Sequence, residues 1–127
     1  MAYVYDDQNV FAKILRGEIP NKTFAETEHS LAFEDISPAA PIHVLVIPKG
    51  AYVNADHFNN EASEAEIVDF TRLIGRIAKE TGAAPGLGGE GYRLICNSGQ
   101  NGVQEVPHYH LHLIGGRPLG RMLQSRD

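Results

Sequence analysis

Three histidines alternate with other residue types near the end of the chain, in the run His108-Tyr109-His110-Leu111-His112-Leu113. A β-strand turns successive side chains to opposite faces, so a strand here would place the three imidazoles on one face, roughly 6.7 Å apart. The intervening side chains would point into a core. Imidazole titrates near neutral pH and serves as nucleophile, general acid or base, or metal ligand. Half of the six histidines therefore indicate one reactive surface.

Two kinds of chemistry fit these residues. In the first, His-x-His on a strand offers two imidazoles to zinc, and Glu105 or His43 completes the ligand set. In the second, a neutral imidazole attacks phosphorus while its neighbours hold phosphate oxygens and pass a proton to the leaving group. The loop 97–102, made of glycine and small polar residues, favours the second because its N–H groups can approach an anion. His43 joins the site only if its strand pairs near the histidine strand.

The pattern of apolar residues predicts the elements that position these side chains. Helices are expected over 10–16, capped by Asp7 or Asn9 and closed by Gly17, and over 62–80, closed by Gly82. Strands are expected over 23–28, 30–34, 43–48, 92–96 and 108–113. Two helices and five strands predict an α+β fold on an antiparallel sheet, as a single domain spanning 1–127.

Composition limits the partners and the location. Eleven basic and sixteen acidic residues give a net charge of −5 without a basic cluster, which argues against a nucleic-acid groove. Since no apolar run approaches a membrane span and no signal pattern is present, we expect no membrane association and a cytoplasmic location. The single cysteine, Cys96, is predicted to be buried and structural.

Three further features predict no function. Residues 86–91 match G-x-G-x-x-G, but they follow a helix and open a strand, the reverse of a dinucleotide-binding loop. We therefore predict a connector there. His29 and His57 are isolated in polar surroundings and are expected to be surface histidines.

The histidine run also resembles a known family motif. Residues 106–113 fit the histidine-triad pattern His-φ-His-φ-His-φ-φ, in which φ is apolar. Segments 11–20, 32–49 and 115–120 resemble the first helix, the ribose-binding loop with its central strand, and the tail of bacterial nucleotide-binding members. Four motifs in the right order span essentially the whole chain, which resembles the nucleotide-binding branch of the histidine-triad superfamily.

The resemblance implies a homodimer that binds purine nucleoside monophosphates and hydrolyses nucleoside phosphoramidates and acyl-adenylates without a metal or cofactor. His110 would be the nucleophile and form a nucleotidyl-histidine that water cleaves. His112 would hold a phosphate oxygen, and His108 and His43 would support the cluster. Asp35 would accept hydrogen bonds from the ribose hydroxyls.

Further contacts follow from the same resemblance. Ile14, Ile19, Phe33 and Ile36 would wall the base pocket, while Asn97 and backbone amides near Val103 and Glu105 would assist at the phosphate. A side-chain role for Glu105 is left open. Some relatives carry a Cys-x-x-Cys zinc pair where Asn9 and Ala12 stand, so we expect no structural zinc. The alternatives are a dinucleoside polyphosphate hydrolase, which the tail disfavours, and a nucleotide-binding regulator with incidental catalysis.

Overall fold

The computed structural model describes residues 3–124, so the two ends of the predicted 1–127 domain lie outside the described residues. In this described part of the chain, five strands form one sheet in the order β1-β2-β3-β5-β4, and every neighbouring pair is antiparallel. Their bounds are Thr23–Glu26 (β1), Ser30–Glu34 (β2), Ile42–Pro48 (β3), Tyr92–Ile95 (β4) and Leu111–Gly115 (β5). The predicted α+β class and five-stranded antiparallel sheet are confirmed.

The central strand β3 is buried on both faces, and its alternating side chains define them. Val44 and Val46 belong to the larger apolar core, whereas Leu45 and Ile47 belong to a second, smaller core on the opposite face. The larger core contains Phe58, Phe70, Leu73, Ile77 and Leu113. The smaller core contains Phe11, Leu31 and Phe33, with Ile14 packed against it. Phe11, Phe33 and Leu45 of this smaller core line a cleft beside the first helix.

Within residues 3–124 three α-helices accompany the sheet, where the sequence predicted two. They are α1 at Val10–Leu15, α2 at Ala55–Glu61 and α3 at Glu64–Glu80. The expected helix over 62–80 begins two residues later, because Ser63 forms a capping box with Glu66. Helix α2 was missed because only Phe58 of its seven residues is buried, so the segment shows no apolar stripe. Within residues 3–124 no helix is long and apolar enough to cross a membrane.

The caps agree in part with the sequence prediction. The Asn9 side chain accepts a hydrogen bond from the Ala12 amide, so Asn9 rather than Asp7 caps α1. Gly17 and Gly82 have φ of 79° and 78°, the left-handed conformation expected where α1 and α3 are closed. The glycine segment 86–91 begins within the short 3₁₀ turn at Pro85–Leu87 and leads into β4, as expected for a connector.

The histidine segment differs from the prediction at its start. Strand β5 begins at Leu111, so His108 and His110 lie in irregular chain before it. The Tyr109 amide donates to the Tyr52 carbonyl, a bond that ties this stretch to the loop after β3 instead of to the sheet. Side chains still alternate as expected, because Tyr109 and Leu113 lie in the larger core.

Candidate active site

A cleft of about 1040 Å³ opens beside α1, at the upper end of the roughly 300–1,000 Å³ range of small-molecule sites. Helix α1, the segment 33–37, the loop 97–106 and the start of β5 form its walls. Ten predicted site residues line it: Ile14, Ile19, Phe33, Asp35, Ile36, Asn97, Val103, Glu105, His110 and His112. His43 and His108 are absent from the lining and contact the site from behind. The structure therefore brings the predicted residues into one region in two layers.

His110 is held in a defined tautomer. Its Nδ1 lies 2.7 Å from the backbone carbonyl oxygen of His108. A carbonyl only accepts hydrogen bonds, so Nδ1 carries the proton and Nε2 keeps its lone pair. Burial lowers the pKa of His110, while the His108 carbonyl, Asp35 and Glu105 oppose that shift. The neutral ring at pH 7 therefore offers an unprotonated Nε2, as a nucleophile or general base requires.

His112 is held in the opposite tautomer. The Ala39 amide donates to His43 Nδ1 over 2.9 Å, so neutral His43 carries its proton on Nε2. That Nε2 lies 2.9 Å from His112 Nδ1, which must then accept and leave the His112 proton on Nε2. Burial, reinforced by His110 and His43, lowers the pKa of His112 to about 4. His110 thus presents the lone pair of its Nε2, whereas the neighbouring His112 presents an N–H donor at its Nε2.

The strand of His43 does pair with the histidine strand, which is the condition for His43 to join the site. Strand β3 pairs directly with β5, and Leu45 lies opposite His112. His43 and Leu45 are two residues apart and share a face, so the two imidazoles meet diagonally across the pair. Their ring centroids are 5.2 Å apart.

His108 has no accessible surface. Its Nε2 lies 2.9 Å from the Pro48 carbonyl oxygen, so Nε2 carries the proton, and its Nδ1 lies 2.6 Å from the Tyr5 hydroxyl. Burial lowers its pKa to about 4, which keeps the ring neutral. Tyr5 was not among the predicted site residues, since no local pattern connects residues 103 positions apart.

Asp35 stands where the cleft meets the histidines. Its Oδ1 accepts a hydrogen bond from the Ser37 amide at 2.7 Å, and its Oδ2 lies 3.5 Å from His43 Nε2. Ligand atoms of Asp35, His43 and His112 lie within 4.8 Å of one another, a spacing that a metal ion could use. The Ala39 amide argues against this, because a metal on His43 Nε2 would force a proton onto Nδ1, facing that N–H.

The loop after β4 is shaped by its own polar contacts. Gln104 accepts from the Gly99 amide and donates to the carbonyl oxygens of Val53 and Val106. Val103 has a φ of 54°, and its amide donates to the Gln100 carbonyl. That amide is already used within the loop, so a phosphate contact would require breaking this bond.

Two predictions about isolated residues are wrong. Cys96 is exposed, because β4 is the last strand of the sheet and nothing in residues 3–124 pairs with its outer side. The His57 side chain is only 12% exposed. Its Nδ1 accepts from the Val53 amide, and its ring packs on Tyr3 and Tyr52, so it is a structural residue of α2.

Comparison with known proteins decides the family. Residues 16–119 match the HIT domain model. The chain belongs to the HIT family. It is 55% identical to a 13.2 kDa HIT-like protein of Azospirillum brasilense, over 97% of this chain and 98% of that protein. It is 40% identical to the purine nucleoside phosphoramidase of Escherichia coli K12, over 94% and 97%.

A solved structure agrees with this assignment. A histidine triad protein from Clostridium difficile superposes with a TM-score of 0.79 at 36% identity, covering 94% of this chain and 100% of that one. The resemblance found in the sequence is confirmed at the level of family and fold.

Proposed function

We propose that this HIT-family chain hydrolyses purine nucleoside 5′-phosphoramidates, and acyl-adenylates by the same route, through a covalent nucleotidyl-histidine. The observation that carries the proposal is the tautomer of His110. Its Nδ1 proton is bound to the His108 carbonyl oxygen, so its Nε2 lone pair is available in the cleft. The 40% identity to a purine nucleoside phosphoramidase supports the choice of substrate.

The reaction has two steps. His110 Nε2 attacks phosphorus, an N–P bond to the enzyme forms, and the bond from phosphorus to the leaving amine breaks. The amine takes up a proton as it departs. Water then cleaves the nucleotidyl-histidine, which releases the nucleoside monophosphate and restores neutral His110. His112 donates a hydrogen bond from Nε2–H to a phosphate oxygen and so stabilises the negative charge on the phosphoryl group.

The rest of the cleft provides recognition. Asp35 Oδ2 is available to accept hydrogen bonds from ribose hydroxyls, while its Oδ1 is used within the loop. Phe33 and Ile14 form an apolar wall for the base, with Ile19 and the 98% exposed Ile36 at the rim. Asn97 and Glu105 also line the cleft, and Asn97 would assist at the phosphate. No metal or cofactor enters this scheme.

The proposal also includes a homodimer and a cytoplasmic location. Strand β4 is an edge of the sheet, and its exposed Tyr92 and Leu94 stand beside exposed Cys96. An unpaired edge with apolar side chains suits a second copy of the chain. A free, exposed thiol suits a reducing compartment.

The test is hydrolysis of adenosine 5′-phosphoramidate by wild type, His110→Ala and His29→Ala, each assayed with EDTA and with added zinc. We expect wild type and His29→Ala to turn over in EDTA, and His110→Ala to be at least ~10³-fold slower while still binding AMP. His29 is a matched control because it lies outside the cleft lining. Acid-quenched wild type should carry a nucleotidyl adduct, detected by mass spectrometry, that His110→Ala lacks. Activity lost in EDTA and restored by zinc would overturn the proposal in favour of a zinc site.

A further inference from the structure

Within residues 3–124, the segment before α1 contacts the triad through the side chain of Tyr5. We propose that Tyr5 is a positioning residue of the reaction, whose hydroxyl fixes His108 and, through it, the nucleophile His110. This inference rests on the proposed function. Tyr5 also lies outside residues 16–119, the part of the chain that matches the HIT domain.

Hydrogen-bond roles at His108 are fixed by its surroundings. The Pro48 carbonyl oxygen can only accept, so His108 Nε2 donates to it over 2.9 Å. The ring is neutral and has no accessible surface, so His108 Nδ1 has a buried lone pair that needs a donor. The Tyr5 hydroxyl supplies it at 2.6 Å, and its ring packs edge-on against the imidazole with centroids 5.6 Å apart.

The same residue that Tyr5 holds also holds the nucleophile. The His108 carbonyl oxygen accepts the His110 Nδ1 proton over 2.7 Å, the bond that leaves His110 Nε2 unprotonated. Phe11 packs edge-on against both rings, with centroids 6.3 Å from His108 and 5.0 Å from His110. Without the Tyr5 hydroxyl, the His108 lone pair is buried and unsatisfied. The ring can then change tautomer or move, and its carbonyl and His110 move with it.

A second tyrosine anchors the same segment without touching the triad. The Tyr3 hydroxyl donates to Asp56 Oδ2 and accepts from Asn54 Nδ2, each over 2.7 Å, at the start of α2. Tyr3→Phe therefore removes a hydroxyl from the same segment while leaving His108 Nδ1 paired. Tyr3→Phe is therefore the control for an effect that comes only from loosening the N-terminal segment and not from the loss of the hydrogen bond to His108.

The experiment compares wild type, Tyr5→Phe and Tyr3→Phe. We expect Tyr5→Phe to lower kcat for adenosine 5′-phosphoramidate by about tenfold or more, because small displacements of a reacting group are costly, with KM within about twofold. Tyr3→Phe should keep kcat within about twofold. Long-range proton–nitrogen NMR spectra should show His108 protonated on Nε2 alone in wild type and Tyr3→Phe, and a changed Nδ1 signal in Tyr5→Phe.

Two results would overturn the inference: an unchanged kcat and His108 spectrum in Tyr5→Phe, or equal losses of kcat in both variants. If wild type does not hydrolyse the phosphoramidate, the proposed function fails. The NMR comparison then still decides whether Tyr5 sets the state of His108, so the two failures are distinguishable.

Discussion

His43 Nε2 and His112 Nδ1 lie 2.9 Å apart, and the direction of the hydrogen bond between them is set at Ala39. The Ala39 amide can only donate, so His43 accepts a hydrogen bond on Nδ1 and donates one from Nε2. His112 is thereby left with its proton on the nitrogen available to the cleft. A backbone amide thus determines which nitrogen of His112 can bind an anion, and His43 transmits that constraint while lying outside the cleft lining.

The role of His43 predicts different outcomes for two substitutions. His43→Leu removes the donor to His112 Nδ1 and should lower kcat about tenfold, since one hydrogen bond of about 1.4 kcal/mol corresponds to a factor of ten in rate. His43→Gln can still donate and should recover part of that loss. Steady-state kinetics on adenosine 5′-phosphoramidate would check this. Equal losses in both variants would mean that His43 acts through its volume and not through its hydrogen bond.

Much of the fold could be predicted because its signals are local. The central strand was found from its β-branched residues and the histidine strand from its alternation, and the ends of α1 and α3 from Gly17 and Gly82. Helix α2 was not found, because it is short and buries mainly Phe58. The exposed Cys96 was misjudged because residue alternation cannot show that β4 is an edge strand.

The site was predictable as a set of residues but not as a network. Ten of the twelve predicted residues line the cleft. The other two lie behind it, where His43 contacts His112 and His108 contacts His110. The hydrogen bonds that select each tautomer come from the Ala39 amide, the His108 and Pro48 carbonyl groups, and Tyr5. Three of these are backbone groups, whose positions depend on the whole fold and have no signature in residue type.

Asp35 should distinguish ribose from its dideoxy analogue. Asp35→Asn keeps an oxygen for the Ser37 amide but replaces the second carboxylate oxygen, so we expect KM for the ribose substrate to rise by about 10-fold or more. KM for a 2′,3′-dideoxyadenosine phosphoramidate should change little. Any change that the new amide causes at His43 would alter the kinetics of both substrates equally, so the dideoxy substrate serves as the control for it. Equal effects on both substrates would contradict a ribose contact.

Val103 is a β-branched residue in left-handed conformation, with φ of 54° and a side chain 70% exposed. Val103→Gly should raise the free energy of unfolding by about 1 kcal/mol, because relief of the backbone strain exceeds the entropy cost of glycine. Val103→Ala keeps a Cβ in the same conformation and should gain less than half as much. Thermal unfolding should show Val103→Gly about 3–5 °C above wild type. A lower melting temperature for Val103→Gly would show that the valine side chain stabilises the loop.

The buried histidines should make stability depend on pH between about 6.5 and 4. In the unfolded chain each imidazole takes up its proton near pH 6.5, whereas His108 and His112 remain neutral in the folded protein down to a pKa of about 4. The unfolded state therefore binds more protons across this window. Stability from these groups is complete above pH 6.5 and is lost as pH falls toward 4.

For the fully buried His108 this loss is about 3 kcal/mol by pH 4, of which about 2 kcal/mol falls between pH 7 and 5, and urea unfolding at pH 7, 6, 5 and 4 would measure it. Burial raises the pKa of Glu66, but hydrogen bonds from Ser63 and Tyr52 outweigh that effect and hold this pKa below its usual value. His108→Gln cannot take up a proton and should flatten the slope by nearly one proton. A free energy of unfolding that stays constant in wild type from pH 7 to 5 would mean that these imidazoles take up protons in the folded protein as readily as in the unfolded chain, and the strongly lowered pKa of His108 would be wrong.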